Sequence, residues 1–209
     1  MSFRIDYFFA PVSPWTYLGH ARFADLARQE GATIRLMPMD LGRVFPVSGG
    51  LPLAKRAPQR QAYRLLELKR FADYLGMPLN PQPKHFPVPA DEAARLIIAC
   101  DQHDGTAAAM RLTGALLAAT WVQERDISDP AVLSAVLQEN GLPTERLDQS
   151  REESVMQRYD ENTREAIDTG VFGAPSYVFD GEIFWGQDRL ELLAHRLRSN
   201  RNHKEKANG

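Results

Sequence analysis

Three short stretches carry side chains whose types and spacing could do chemistry. The first is Ser13-Pro14-Trp15-Thr16, inside "FFAPVSPWTYLG", where an aromatic run meets a proline and turns into helical spacing. Proline costs nothing at a first helical position and serine satisfies an orphan backbone donor, so Ser13 reads as an N-cap. A helix start also offers free N–H groups and the positive end of the macrodipole, which together stabilise an anion by roughly 0.3–2 kcal/mol. A thiolate is such an anion. The chain owns a single cysteine, Cys100, set in an alanine- and isoleucine-rich run that reads as core, so a sulfur at this corner must arrive on a ligand. Ser13 is then a hydrogen-bond donor to that sulfur and not a nucleophile, because no base accompanies it: His20 lies seven residues on, past the corner of a helix.

The second stretch is Gly173-Ala174-Pro175. An X–Pro bond takes the cis form at a cost of only about 0.5–1 kcal/mol. A cis proline just before a strand leaves the backbone of Ala174 open to pair with an extended, peptide-like ligand. The third stretch is Trp185-Gly186-Gln187-Asp188 at the head of the last helix. There an amide and a carboxylate can receive an ammonium group while neighbouring N–H groups receive a carboxylate. Ser13 and Asp188 also have a plainer reading as helix caps. Together the three corners describe a slot for a small peptide thiol, and glutathione fits it.

These corners need elements to hold them. Phe3 to Phe9 reads as a strand stopped by Pro11, Ser13 opens an amphipathic helix closed by Gly31, and "ATIRLMPM" reads as a second strand with the crossover length of a parallel pair. "LGRVFPVSGGLPLAKRAPQ" reads as a Pro/Gly-punctuated loop, and a helix with Tyr63, Leu66, Arg70 and Tyr74 stepping along it ends at Gly76. Helical segments then dominate, one with a cap signal at Asp91 and one with Ser128 or Asp129 ahead of Pro130. The end of the chain returns to strands: Ser176 to Phe179, an Asp180-Gly181 turn that dictates a hairpin, Glu182 to Trp185, and a last helix on Leu190, Leu193 and Leu197. The order βαβ, helices, ββα predicts an α/β protein with a thioredoxin-like fold and a large all-helical insertion. Its expected layout is a discontinuous thioredoxin-like domain (1–39 and 169–200), an inserted helical domain (40–168) and a disordered tail (201–209).

Composition excludes several classes. With 209 residues and a formal net charge of −2, the chain offers no basic footprint for nucleic acid. No apolar run approaches the roughly 20 residues of a membrane span, "MSFRIDYFF" lacks the parts of a secretory signal, and a cytoplasmic protein is expected. No Cys/His cluster suggests a metal, and with one cysteine the protein cannot run dithiol redox chemistry.

The stretches "FFAPVSPWTYLG", "YRLLELKRFADYLGMPL" and "TGVFGAPSYVFDGEIFWGQDRLELL" resemble the 2-hydroxychromene-2-carboxylate isomerase family, relatives of the kappa-class glutathione transferases and the DsbA oxidoreductases. The resemblance runs in order from Phe3 to about Arg198. It implies glutathione-dependent cis–trans isomerisation, in which the thiolate adds to a conjugated carboxylate from aromatic degradation, a bond rotates, and the thiolate leaves. It also implies a homodimer. Carried over by motif, Ser13 orients and stabilises the thiolate, Ala174 pairs with glutathione through its main chain, and Trp185, Gly186, Gln187 and Asp188 contact glutathione. The chain departs from the pattern in the loop after the second strand: where typical members read LGxxFKxTGN, "LGRVFPVSGG" puts Pro46 and Gly50 at the Lys and Asn places. Arg43, Lys55 or Arg56 could replace the lost positive charge, or could simply be solvated. The loop "PKHFPVP" reads as a surface turn, the alternative being a loop in which Lys84, His85 and Phe86 roof the site, and Tyr63 and Trp121 read as core or interface aromatics. Two rivals accompany the isomerase reading: a kappa-like transferase that conjugates electrophiles with the same thiolate, and a non-catalytic binding module that keeps only the cleft.

Overall fold

The computed structural model describes residues 3–207. In chain order the elements are β1 (Phe3–Phe9), α1 (Pro14–Gln29), β2 (Ala32–Pro38), α2 (Leu41–Ser48), α3 (Pro58–Leu75), α4 (Asp91–Asp104), α5 (Thr106–Trp121), α6 (Pro130–Glu139), α7 (Arg146–Gln149), α8 (Glu153–Thr169), β3 (Ser176–Phe179), β4 (Glu182–Trp185) and α9 (Leu190–Ala207). Two short 3-10 turns precede α3 and α9. The four strands form one sheet in the order β2-β1-β3-β4, with β1 parallel to β2 and both remaining pairs antiparallel. This is the thioredoxin arrangement, with α2 to α8 threaded between the parallel pair and the hairpin.

The period-two alternation of β1 splits the core. Phe3, Ile5, Tyr7 and Phe9 pack with Phe23 of α1, Leu193 and Leu197 of α9 and apolar side chains of α4, α5 and α6. Phe8 on the opposite face packs with Met37, Val44, Ala166 and Val178. The helical segment therefore shares its core with the sheet. The hairpin turn places Asp180 at φ 55° and Gly181 at φ 78°, the left-handed pair that an Asp-Gly sequence predicts.

Several local expectations change. The segment after β2 is a helix, α2, and not a loop: the Asp40 carboxylate caps it by accepting from the Gly42 N–H at 2.7 Å, and Pro46 sits inside it. Asp91 is not a cap but the first residue of α4, where it accepts the Tyr159 hydroxyl. The Pro130 helix is capped by Asp129, whose carboxylate accepts from Ala131. The stripe Tyr63, Leu66, Arg70, Tyr74 is the outer face of α3; the inner one is Arg64, Leu68, Phe71 and Leu75. The tail expected to be disordered from residue 201 instead continues α9 to Ala207. Glu30, buried at the end of α1, ties down the start of that stretch, its carboxylate accepting from both Arg198 and Arg201. Residues 208 and 209 of that expected tail lie outside the described residues.

Candidate active site

Ser13 stands between β1 and α1 in extended backbone conformation, 7% exposed. Its oxygen accepts from the Thr16 N–H at 3.2 Å, so the capping reading holds. Capping uses one of the oxygen's two lone pairs and leaves the hydroxyl hydrogen to point elsewhere: it reaches the Ala174 carbonyl at 3.4 Å, a long contact that a better acceptor would displace. Thr16 is fully buried and the Tyr17 N–H is bonded to the Ser13 carbonyl, whereas the Trp15 N–H makes no bond among the described residues. The corner thus keeps one side-chain donor and one backbone donor at the positive end of a helix of 16 residues.

Across from it, the Ala174–Pro175 peptide is cis, and the Ala174 N–H is unbonded among the described residues. Trp185, half exposed, lies against Phe172 with ring centroids 4.7 Å apart. Gly173 makes that possible, because a Cβ there would overlap the Trp185 ring. Gly186 adopts φ 108°, a conformation that favours glycine. Asp188 is not the helix cap; it lies in the 3-10 turn that Gly186 precedes, with its carboxylate paired to Arg189 at 2.6 Å. Gln187 departs from expectation. It is 2% exposed and its side-chain oxygen accepts from Arg22 at 2.8 Å, so its amide braces the turn against α1 and is not free to receive an ammonium group. Asp188 is left as the group that could.

Two chambers adjoin at this corner and share Trp15, Ala174 and Trp185 as walls. The smaller, about 340 Å³, runs along Trp185 to Asp188. The larger, about 680 Å³, is lined by Ser13, Phe45, Gly50, Phe86, Phe172 and neighbours. Gly50 lets the Phe45 ring fold down, since a Cβ would meet Phe45 Cδ1 at 2.5 Å, and the wall there is apolar. Phe86 lines the chamber and packs on the buried Trp121, while His85 turns away toward Asp126. Tyr63 is exposed and lies at the rim of the smaller chamber.

Sequence reading missed two residues here. Arg60 and Arg64 line both chambers together with Arg56. Arg64 is 8% exposed, its guanidinium lies 5.2 Å from the Phe86 centroid and 5.8 Å from that of Trp121, and its Nη2 has no partner among the described residues. Burial first, and the charge of Arg56 second, push Arg64 down to about 10. The signal was the four-residue spacing of Arg60 and Arg64, which puts two cations one turn apart on α3, with Arg56 just before the helix. Of the basic residues that were considered, Arg43 is spent on Asp160 at 2.5 Å and Lys55 is exposed. Arg56 lies over Phe45 and donates to the Leu51 carbonyl. Among the described residues no cluster of acids, histidines and cysteine could hold a metal ion, and no helix is long and apolar enough to cross a membrane.

The model of the DsbA-like thioredoxin domain matches residues 4–198. A Pseudomonas putida 2-hydroxychromene-2-carboxylate isomerase is 31% identical over 193 residues, covering 90% of this chain and 91% of the relative. The Caenorhabditis elegans glutathione S-transferase kappa 1 is 29% identical over 206 residues, covering 93% and 90%. A solved structure of a 2-hydroxychromene-2-carboxylate isomerase superposes with a TM-score of 0.77 at 27% identity, covering 98% of each chain. With a serine at the thioredoxin corner, a cis proline opposite and likeness along nearly its whole length to these enzymes, the chain belongs to the DsbA-like thioredoxin family, among the 2-hydroxychromene-2-carboxylate isomerases and their kappa-class transferase relatives.

Proposed function

We propose that the protein is a glutathione-dependent isomerase that acts on a conjugated carboxylate. The observation that carries this reading is the buried Ser13 hydroxyl at the start of α1, whose oxygen caps Thr16 and whose hydrogen is held only by the long 3.4 Å contact to the Ala174 carbonyl, next to a Trp15 N–H that is unbonded among the described residues. In the smaller chamber Ala174 would pair with the backbone of glutathione and Asp188 would take its ammonium group. The thiol then lies at the helix start, where Ser13, Trp15 and the macrodipole favour its ionised form. The thiolate adds to a carbon–carbon double bond conjugated to a carbonyl, and the electron pair moves onto the carbonyl oxygen as an enolate. The former double bond is now single and rotates. Collapse of the enolate restores the double bond in the other geometry and expels the thiolate, so nothing is consumed. Ser13 and Trp15 bind the thiolate before addition and again as it leaves.

A second reading has a specific observation in its favour, the 29% identity to a kappa-class transferase. There the same thiolate attacks an electrophile and stays attached. One assay separates the two: incubation with glutathione and a cis-configured arylidene keto acid, followed by absorbance and free-thiol titration. Isomerisation with the thiol concentration constant supports the isomerase; thiol loss matching product formation supports the transferase. Neither change, with glutathione bound, contradicts both.

A further inference from the structure

The larger chamber contains three arginines and no acid among its lining residues. In the smaller one Glu67 is paired with Arg70, and Asp188, paired with Arg189, is the group assigned above to an ammonium. Neither acid is paired with the three arginines, so an anionic ligand would complete the cluster. Arg64 states the requirement most sharply. It is the only one of the three that is buried, on the inner stripe of α3, and it lies against the packed Phe86–Trp121 ring pair with Nη2 unpartnered among the described residues. The charge of Arg56 that acts on it is like and not opposite. An unpaired buried cation is costly, and the cost is offset when a planar anion completes it. A guanidinium suits a carboxylate because two parallel N–H donors meet two oxygens.

Taking the smaller chamber as the thiol site, as proposed above, we propose that Arg64 is the carboxylate anchor for the second substrate in the larger chamber. Phe45, Phe86 and Phe172 make the remainder of that chamber fit for a flat aromatic or extended conjugated body. A conjugated acid of the class proposed above is then held by its anionic end on α3 and presents its conjugated carbons to the Ser13 corner. Pro46 and Gly50 need supply no polar group, because the positive charge has moved to another helix.

The test uses 2-naphthoate and its neutral counterpart 2-naphthamide as probes, with glutathione titrated separately, all by calorimetry on the intact protein. Wild type should prefer the carboxylate over the amide by about tenfold or more. Arg64→Met should abolish that preference and leave glutathione affinity within about twofold, and it should melt no lower than wild type without ligand, since it removes an unpaired buried charge. Arg64→Gln gives the same comparison if the methionine variant does not fold. The proposal is overturned if wild type shows no carboxylate preference, or if Arg64→Met weakens glutathione about tenfold while the naphthoate preference persists, which would assign the arginine to the thiol's own carboxylates. The two readings fail separately: a protein that ignores glutathione yet keeps an Arg64-dependent naphthoate preference sinks the thiol reading and upholds the anchor.

Discussion

At the scale of single residues, Ser13 does two jobs with one hydroxyl. Its oxygen caps α1 through Thr16, and its hydrogen makes only a long contact to the Ala174 carbonyl that a thiolate would replace. Ser13→Ala removes both. Turnover should fall by about 10²–10³-fold, as for loss of a donor to a charged reacting atom. Thermal stability should fall by only about 1 kcal/mol, the worth of a cap. Calorimetry should still detect glutathione, held by Ala174 and Asp188. Stability loss without turnover loss would leave Ser13 a cap and nothing more. The cap was legible because Ser-Pro at a strand-to-helix corner specifies it. Gln187 was legible only as a position: nothing in "WGQDRL" reveals that Arg22, 165 residues away, claims its amide oxygen.

At the scale of elements, β1, α1 and α5 are tied together by a buried imidazole. His20 Nε2 lies 2.9 Å from the Met110 carbonyl, which can only accept, so Nε2 carries the hydrogen and Nδ1 accepts from the Tyr7 hydroxyl at 3.2 Å. Burial holds His20 down to about 4, below the ordinary 6.5, the Met110 bond opposing only in part. The unfolded chain thus binds a proton that the folded one refuses between pH 6.5 and 4. Stability should be complete above pH 6.5 and fall as pH drops toward 4, by about 3 kcal/mol at most from this group. Chemical denaturation across that range would show the slope in wild type and a smaller one in His20→Gln; equal slopes would remove His20 from the account. Helices with strong start signals, such as Ser13-Pro14, were readable. The faces of α3 were not, because Tyr63, Leu66 and Tyr74 point outward while a charged residue, Arg64, shares the inward stripe with Leu68, Phe71 and Leu75. Helix α2 was hidden by Pro46 and two glycines, and only the Asp40 cap hinted at it.

At the scale of the whole molecule, the strand and helix order sufficed for the thioredoxin frame, because the Asp-Gly hairpin and the βαβ crossover permit few topologies. The ending was misjudged since its charged composition reads as solvated chain, while Glu30, buried at the far end of α1, gives Arg198 and Arg201 a shared partner. Replacing both arginines by alanine should leave that carboxylate buried and unpaired and cost on the order of 2 kcal/mol in denaturant unfolding. Adding Glu30→Gln should recover part of the loss, and no recovery would place the effect elsewhere.

The cleft between sheet corner and α3 is the product of the entire arrangement, and its central claim concerns a sulfur that the chain does not own. Ultraviolet titration of bound glutathione, following thiolate absorbance against pH in wild type and Ser13→Ala, tests this directly. The account predicts a bound thiol ionising at or below about pH 7.5, shifted upward when the hydroxyl is removed. A bound thiol that titrates near its ordinary value in both proteins, about 8.5, would contradict it.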